Sequence, residues 1–477
     1  SYFGKGIYTI MVYHNSKVTD IKIAYIGGGS RGWAWSFMGD LAIEPALSGT
    51  IALYDIDMEA AKNNEIIGNR LTANPDTIGK WDYKAVPTLK DALAGADFVI
   101  ISILPGTFDE MEYDVHLPEK YGIYQSVGDT AGPGGILRAL RTLPMYVEIA
   151  EAIKEYSPNA WVINYTNPMS LCVKVLYHIF PGIKAFGCCH EVFGTQKVLK
   201  TICEEEFGID AIDRSEIIVN VLGINHFTWF DRASYKGIDL FPVYKAYVDK
   251  HYEEGMDKGG DNNWMNNSFA CAQRVKFDLF RRYGYIAAAG DRHLAEFMPG
   301  DEYLNNPETV KNWKFGLTTV AYRKEDLKKR LEKSARLVKG EEGVKLDPSG
   351  EEGVLLIKAL CGLTRMVSNV NIPNTNGQIP NLPRTAIVET NAVFAKDSIF
   401  PLIAGELPGQ LLTLIKPHVE NHEDILKAAL HPDFDLALKA FTNDPLVKAH
   451  CLPKDAKTLL RDMIRHTLSY LPKEWEA

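Results

Sequence analysis

The residues best able to do chemistry in this 477-residue chain stand in short runs at the ends of apolar segments. Directly after IKIAYI comes Gly27-Gly28-Gly29-Ser30-Arg31-Gly32, in which Gly27, Gly29 and Gly32 fill the glycine positions of G-x-G-x-x-G. Glycine is required there because the chain turns tightly and its backbone must approach a pyrophosphate at a helix N-terminus. Ser30 and Arg31 lie inside the same turn and face the same anion. Asp55 ends the next apolar run, where a carboxylate would grip ribose hydroxyls. Its charge would repel a 2′-phosphate, so the pattern favours NAD over NADP.

Three further runs offer polar groups. Cys188-Cys189-His190 ends one apolar segment and Asn225-His226 another. A thiolate and an imidazole delivered to one crevice can chelate a divalent ion and leave positions for substrate oxygens. On spacing alone, an isolated Cys or His is explained at least as well as a core residue. Asn164-Tyr165-Thr166-Asn167-Pro168 could bond a sugar hydroxyl or the nicotinamide, or cap a helix starting at Met169. Gly290-Asp291-Arg292-His293 sets a carboxylate, a guanidinium and an imidazole side by side.

The elements that would position these groups alternate short apolar runs with helical stretches, the βαβ pattern of a parallel sheet. Ile21–Ile26, Ile51–Leu53, Phe98–Ile103, Ala160–Tyr165 and Ile183–Cys188 read as strands, with helices over Met58–Arg70 and Leu137–Tyr156. In such a sheet the strand C-termini face the ligand crevice, which is where the polar runs fall. Leu104–Pro133 reads as a long functional loop. Past residue 200 the pattern changes: a strand at Ile217–Leu222, a helix-rich stretch containing Asn262–Tyr283, then a charged helix and mobile surface loop over Lys324–Glu352. An apolar helix at Val354–Val367, a strand at Ile387–Phe394 and a helical tail follow. The expected fold class is α/β, a Rossmann-type parallel sheet (21–200) followed by a helix-rich α+β domain for substrate, metal and oligomer contacts (201–477). Residues 1–20 read as an N-terminal tail, with Met11 a candidate natural start.

A net charge of −9 with no long basic block argues against nucleic acid or anionic membrane as partner. No apolar run approaches the roughly 20 residues of a membrane span. Seven cysteines, an odd number without regular spacing, argue against a disulfide framework and for a reducing cytoplasm.

Taken in order, GGGSRG, LYDID, INYTNPMS, GCCHEVFG and GINHFTWF resemble glycoside hydrolase family 4, the NAD- and metal-dependent glycosidases. AAGDRHLAEF and NLPRTAIVETNA look closest to its α-galacturonidase branch. The resemblance implies NAD and a divalent ion, usually manganese, held by Cys189 and His226. It places His190 where some members carry an aspartate as general acid, and Asp291 where members carry a tyrosine or aspartate base. Asn167 matches a substrate-contacting asparagine, and Asp129, in VGDTAGPGG, an acidic residue near the substrate. The implied route is oxidation at C3 of the sugar, loss of the C2 proton, elimination of the C1 substituent, water addition and re-reduction. It needs no pair of catalytic carboxylates, unlike most glycosidases. Relatives usually form homodimers or homotetramers. Arg138, Arg292 and Arg384 are the candidates for a C6 carboxylate. The alternatives are another sugar within the family (glucoside, galactoside or glucuronide), a plain NAD-dependent dehydrogenase of hydroxy acids or polyols, and a non-catalytic NAD sensor.

Overall fold

A computed structural model describes residues 10–256 and 271–476. Residues 262–270 of the expected helical stretch, and the first nine residues of the tail, lie outside the described residues.

The strands run β1 Val12–His14, β2 Lys17–Ile26, β3 Leu47–Tyr54, β4 Trp81–Ala85, β5 Phe98–Ile101, β6 Trp161–Asn164 and β7 Lys184–Gly187. From β2 to β7 they pair in parallel in the spatial order β4-β3-β2-β5-β6-β7. Counted from β2 this is 3-2-1-4-5-6, the doubly wound Rossmann order, with its crevice where the order reverses between β2 and β5. FVII in β5 is buried at every position, as a strand covered by helices on both faces must be. The helices that matter for the site are α1 Trp33–Ala42, α2 Met58–Ala73, α3 Gly132–Tyr156, α4 Met169–Ile179 and α5 Glu191–Phe207.

The second half builds a small antiparallel sheet from β8 Ile217–Ile224, β9 Phe227–Tyr235, β10 Ile238–Asp239 and β11 Ile286–Ala287. It also returns to the first sheet: β12 Met366–Pro373, β13 Ile387–Ala395 and β14 Ser398–Pro401 extend the β7 edge in antiparallel order. Helices α6 Arg274–Tyr283, α7 Asp291–Phe297 and α8 Val320–Lys339 precede these strands, and the tail from Gly409 is helical. Among the described residues no helix is long and apolar enough to cross a membrane.

Three expectations change. Leu104–Pro133 is no plain loop: a helix at Phe108–His116 carries a full capping box, with Thr107 and Glu110 each satisfying the other's backbone amide. The apolar run from Val354 is helical only to Leu360 and becomes strand β12 at Met366, because the segment completes the sheet. The polar loop after α8 does not hang free. Ser349 donates its amide to Asp40 of α1 at 2.8 Å.

Candidate active site

At the end of β2 the backbone takes the turn that the glycines allow. Gly27 has φ 92°, and a Cβ there would lie 1.9 Å from the Ser102 carbonyl oxygen. Gly29 donates its amide to Asp55 Oδ2 at 2.8 Å, a contact that a side chain on Gly29 would displace. Gly32, at φ 143°, starts α1, and Arg31 points toward Asp57 at 3.6 Å. Gly27, Gly29, Ser30, Arg31, Gly32 and Asp55 are therefore gathered at one strand-to-helix junction. Helix α8 adds a group that no motif marks: Arg330 donates to the Arg31 carbonyl at 2.6 Å and stands over Gly32.

A second cluster forms where the loop before α3, the β8–β9 hairpin and α7 meet. Ile224 pairs with Phe227, so Asn225 and His226 make a two-residue turn in which His226 has φ 64°. A non-glycine residue held in the left-handed region costs free energy and is concentrated at functional sites. The Thr130 hydroxyl donates to Asp129 Oδ1 at 2.7 Å and lies 2.8 Å from His226 Nδ1. With its one proton given to Asp129, it accepts from His226 Nδ1–H, which leaves Nε2 of His226 with a free lone pair. The His226 and His293 rings stack with centroids 3.7 Å apart, and one ligand atom each from Asp129, His226 and His293 lie within 4.8 Å of one another. Asn167 Nδ2 approaches Asp129 at 3.3 Å.

The electrostatics suit a divalent ion. Burial, then the neighbouring His293, pushes His226 down to about 3, and burial lowers His293 as well. Both imidazoles are thus neutral, the metal-binding form. Burial opposes ionisation of Asp129, but His293, Arg138 and His226 around it, with the Thr130 hydroxyl, hold its carboxyl below the usual range. His293 Nδ1 and Asn167 Oδ1 are buried without a hydrogen-bond partner. Unsatisfied buried lone pairs beside a carboxylate and a second imidazole fit an ion such as manganese.

Cys189 is not among the three donors that lie within 4.8 Å of one another. Its thiol is pushed up by burial, then by Glu389 and Glu191; it reaches Asn225 and packs beside Met169, Val173 and Ile387. The donors that the geometry brings together are thus Asp129, His226 and His293, where the sequence pointed to Cys189 with His226. His190 is half exposed at the start of α5, its Nδ1 3.3 Å from Glu351 and its ring 5.9 Å from that of Trp33. The Glu351 contact raises its pKa.

Asp291 does not face the cluster. Fully buried, it accepts from the amides of Val275 and Lys276 at 3.0 and 3.3 Å and from Lys276 Nζ at 3.0 Å. Its oxygens are engaged at the N-terminus of α6, and it is not one of the three donors gathered with His226. Arg292 bonds the Thr318 hydroxyl and, with Arg138, lies in the field of Asp129; Arg138 also donates to the Asn167 carbonyl at 3.0 Å. Arg384 is exposed, bonded to the Thr375 carbonyl at 2.9 Å. Two carboxyl groups were missed. Glu191 accepts from the Gly290 amide at 2.6 Å and lies 3.5 Å from His293 Nε2. Glu296 accepts from the Val127 and Gly128 amides at 2.6 and 2.9 Å. Its spacing of three from His293 on a helix was the one available signal.

Residues 22–205 match the family model for family 4 glycosyl hydrolase, and residues 221–447 match that for the C-terminal domain of family 4 glycosyl hydrolases. The chain belongs to this family. An α-galacturonidase of Lachnoclostridium phytofermentans is 68% identical over 98% of this chain and 100% of its own length. A Bacillus subtilis crystal structure, described as a glucosidase, superposes with a TM-score of 0.88 at 54% identity, covering 93% of this chain and 100% of that one. A 6-phospho-α-glucosidase from gut microorganisms, solved with NAD and Mn2+, shares the fold at a TM-score of 0.76 and 20% identity, over 95% of this chain and 99% of that one.

Proposed function

We propose that this enzyme hydrolyses α-galacturonides with bound NAD and a divalent metal ion. The observation that carries the reading is full-length similarity to an α-galacturonidase, in a chain that has both a dinucleotide turn and an imidazole–carboxylate cluster. When bound, NAD supplies reversible oxidation of the sugar and the ion supplies a Lewis acid. The glycine-rich turn and the N-terminus of α1 would receive the pyrophosphate, and Asp55 would bond the ribose hydroxyls. His226 holds the ion with Asp129 and His293, and Cys189 is the further ligand that the family pattern suggests. Asn167, oriented by Asp129, bonds a sugar hydroxyl. His190, whose pKa the contact with Glu351 raises, is the proton donor to the leaving group.

The test is the fate of the C2 hydrogen. Galacturonide cleaved in deuterated water is expected to yield product labelled at C2, with no net NADH, and omission of NAD stops both label and cleavage. Label-free hydrolysis without NAD would overturn the route, since a glycosidase working through an oxocarbenium ion leaves C2 untouched. NADH formed in step with product would mark a plain dehydrogenase.

A further inference from the structure

Arg323, in the first turn of α8, is a cation that neither the sequence pattern nor the roles above account for. The start of α8 is fastened to the site by three bonds. Thr318 donates its amide to the Ser126 carbonyl at 3.0 Å, Val320 donates to His116 Nε2 at 3.1 Å, and Arg292 bonds the Thr318 hydroxyl. So held, the Arg323 guanidinium lies in the field of Asp129, Arg292, Glu296 and Asp326, and Arg138 feels its charge in turn.

Its partners are what set it apart. Nε of Arg323 is buried and makes no hydrogen bond, and no ion pair to its guanidinium occurs among the described residues. Arg141, buried nearby, has both amino groups matched to the two oxygens of Asp114. Arg138 and Arg323 instead both face Asp129; the other carboxylates that act on them are bonded elsewhere, Asp114 to Arg141 and Asp326 to Arg330 Nε at 2.6 Å, and burial pushes the Glu296 carboxyl up to about 8. A half-buried guanidinium with a buried, unbonded Nε and no ion pair of its own is relieved when a ligand brings the anion. The planar fork of arginine fits a carboxylate through two parallel bonds.

We propose that Arg323 receives the C6 carboxylate of the galacturonic acid unit and thereby sets the preference for galacturonides over galactosides. The inference rests on the α-galacturonidase reading. A galactoside carries a neutral hydroxymethyl group at C6 and would leave the guanidinium unmatched, the kind of loss that discriminates strongly between substrates.

The test compares wild type, Arg323→Gln and Arg323→Lys on 4-nitrophenyl α-galacturonide and 4-nitrophenyl α-galactoside, with NAD, Mn2+ and reductant present. Arg323→Gln is expected to lower the ratio of kcat/KM for galacturonide over galactoside by about 100-fold or more, chiefly through KM, with Arg323→Lys between. Free galacturonate, but not galactose, should raise the melting temperature of the wild-type holoenzyme and lose that effect in both variants. If Arg323→Gln does not fold, Arg323→Lys and the wild-type galacturonate shift carry the comparison. Equal losses on both sugars, or an unchanged ratio, would overturn the assignment of Arg323. A wild type that cleaves no galacturonide would instead sink the α-galacturonidase reading itself.

Discussion

At the scale of single residues, the charge state of each side chain follows from its burial and partners. Glu296 illustrates this. Its Oε1 takes the Val127 and Gly128 amides while Oε2 is buried without a partner, and the carboxyl is raised to about 8 from 4.5. A folded pKa above the unfolded one means that the native state holds the proton longer. The stability tied to that proton is full below pH 4.5 and is lost as pH rises toward 8. Glu296→Gln keeps an oxygen for both amides and never ionises. Melting curves should therefore show the variant gaining on wild type as pH rises from about 5 to 8; a gap constant with pH would mean that the carboxyl is already charged. The metal is the second case. His226→Ala and Cys189→Ser should each leave the purified protein without bound manganese, whereas Cys188→Ser keeps it, as measured by atomic emission. Manganese retained in Cys189→Ser would leave Asp129, His226 and His293 as the protein's share of the site.

At the scale of elements, the glycine-rich turn is a local product of β2, α1 and the glycines between them, but what covers it comes from far along the chain. Arg330 of α8 sits over Gly32 and is held there by Asp326 at 2.6 Å and by the Arg31 carbonyl. Anions at a helix N-terminus gain from nearby cations as well as from backbone amides. Arg330→Gln should weaken NAD binding about tenfold with little change in melting temperature, read by tryptophan fluorescence or calorimetry. Unchanged affinity would make Arg330 a brace between α8 and the turn and nothing more. The same helix carries Arg323 in its first turn, so one charged helix reaches both the proposed cofactor and substrate regions.

At the scale of the whole molecule, the two halves of the chain share one core. Leu140, Leu143 and Tyr146 of α3 are wholly buried, in a cluster that includes Leu411, Ile415 and Leu459 from the helical tail. Strands β12 to β14 cover the β7 edge, which would otherwise offer unpaired backbone groups. A fragment ending near residue 210 is therefore expected to aggregate or melt without cooperativity in circular dichroism. A sharp, reversible transition in that fragment would show the first half to be self-sufficient.

The sequence by itself determined the parallel sheet, the nucleotide turn and the sites along the chain from which polar groups are delivered. Each of these rests on local rules: buried strands read as apolar runs, a tight anion-binding turn needs glycine, and strand ends meet the crevice. It did not determine which delivered groups face one another. The family resemblance marks Asp291 as a base, yet its oxygens accept three bonds from the N-terminus of α6 and Lys276. His293, Glu191 and Arg323 gain their places from segments that lie roughly 100 or more residues away in the chain. Spacing of 2 or 3.6 residues reports which face a side chain takes within its own element. Only tertiary packing decides what that face meets, and hence which groups are satisfied and which are left open for a ligand.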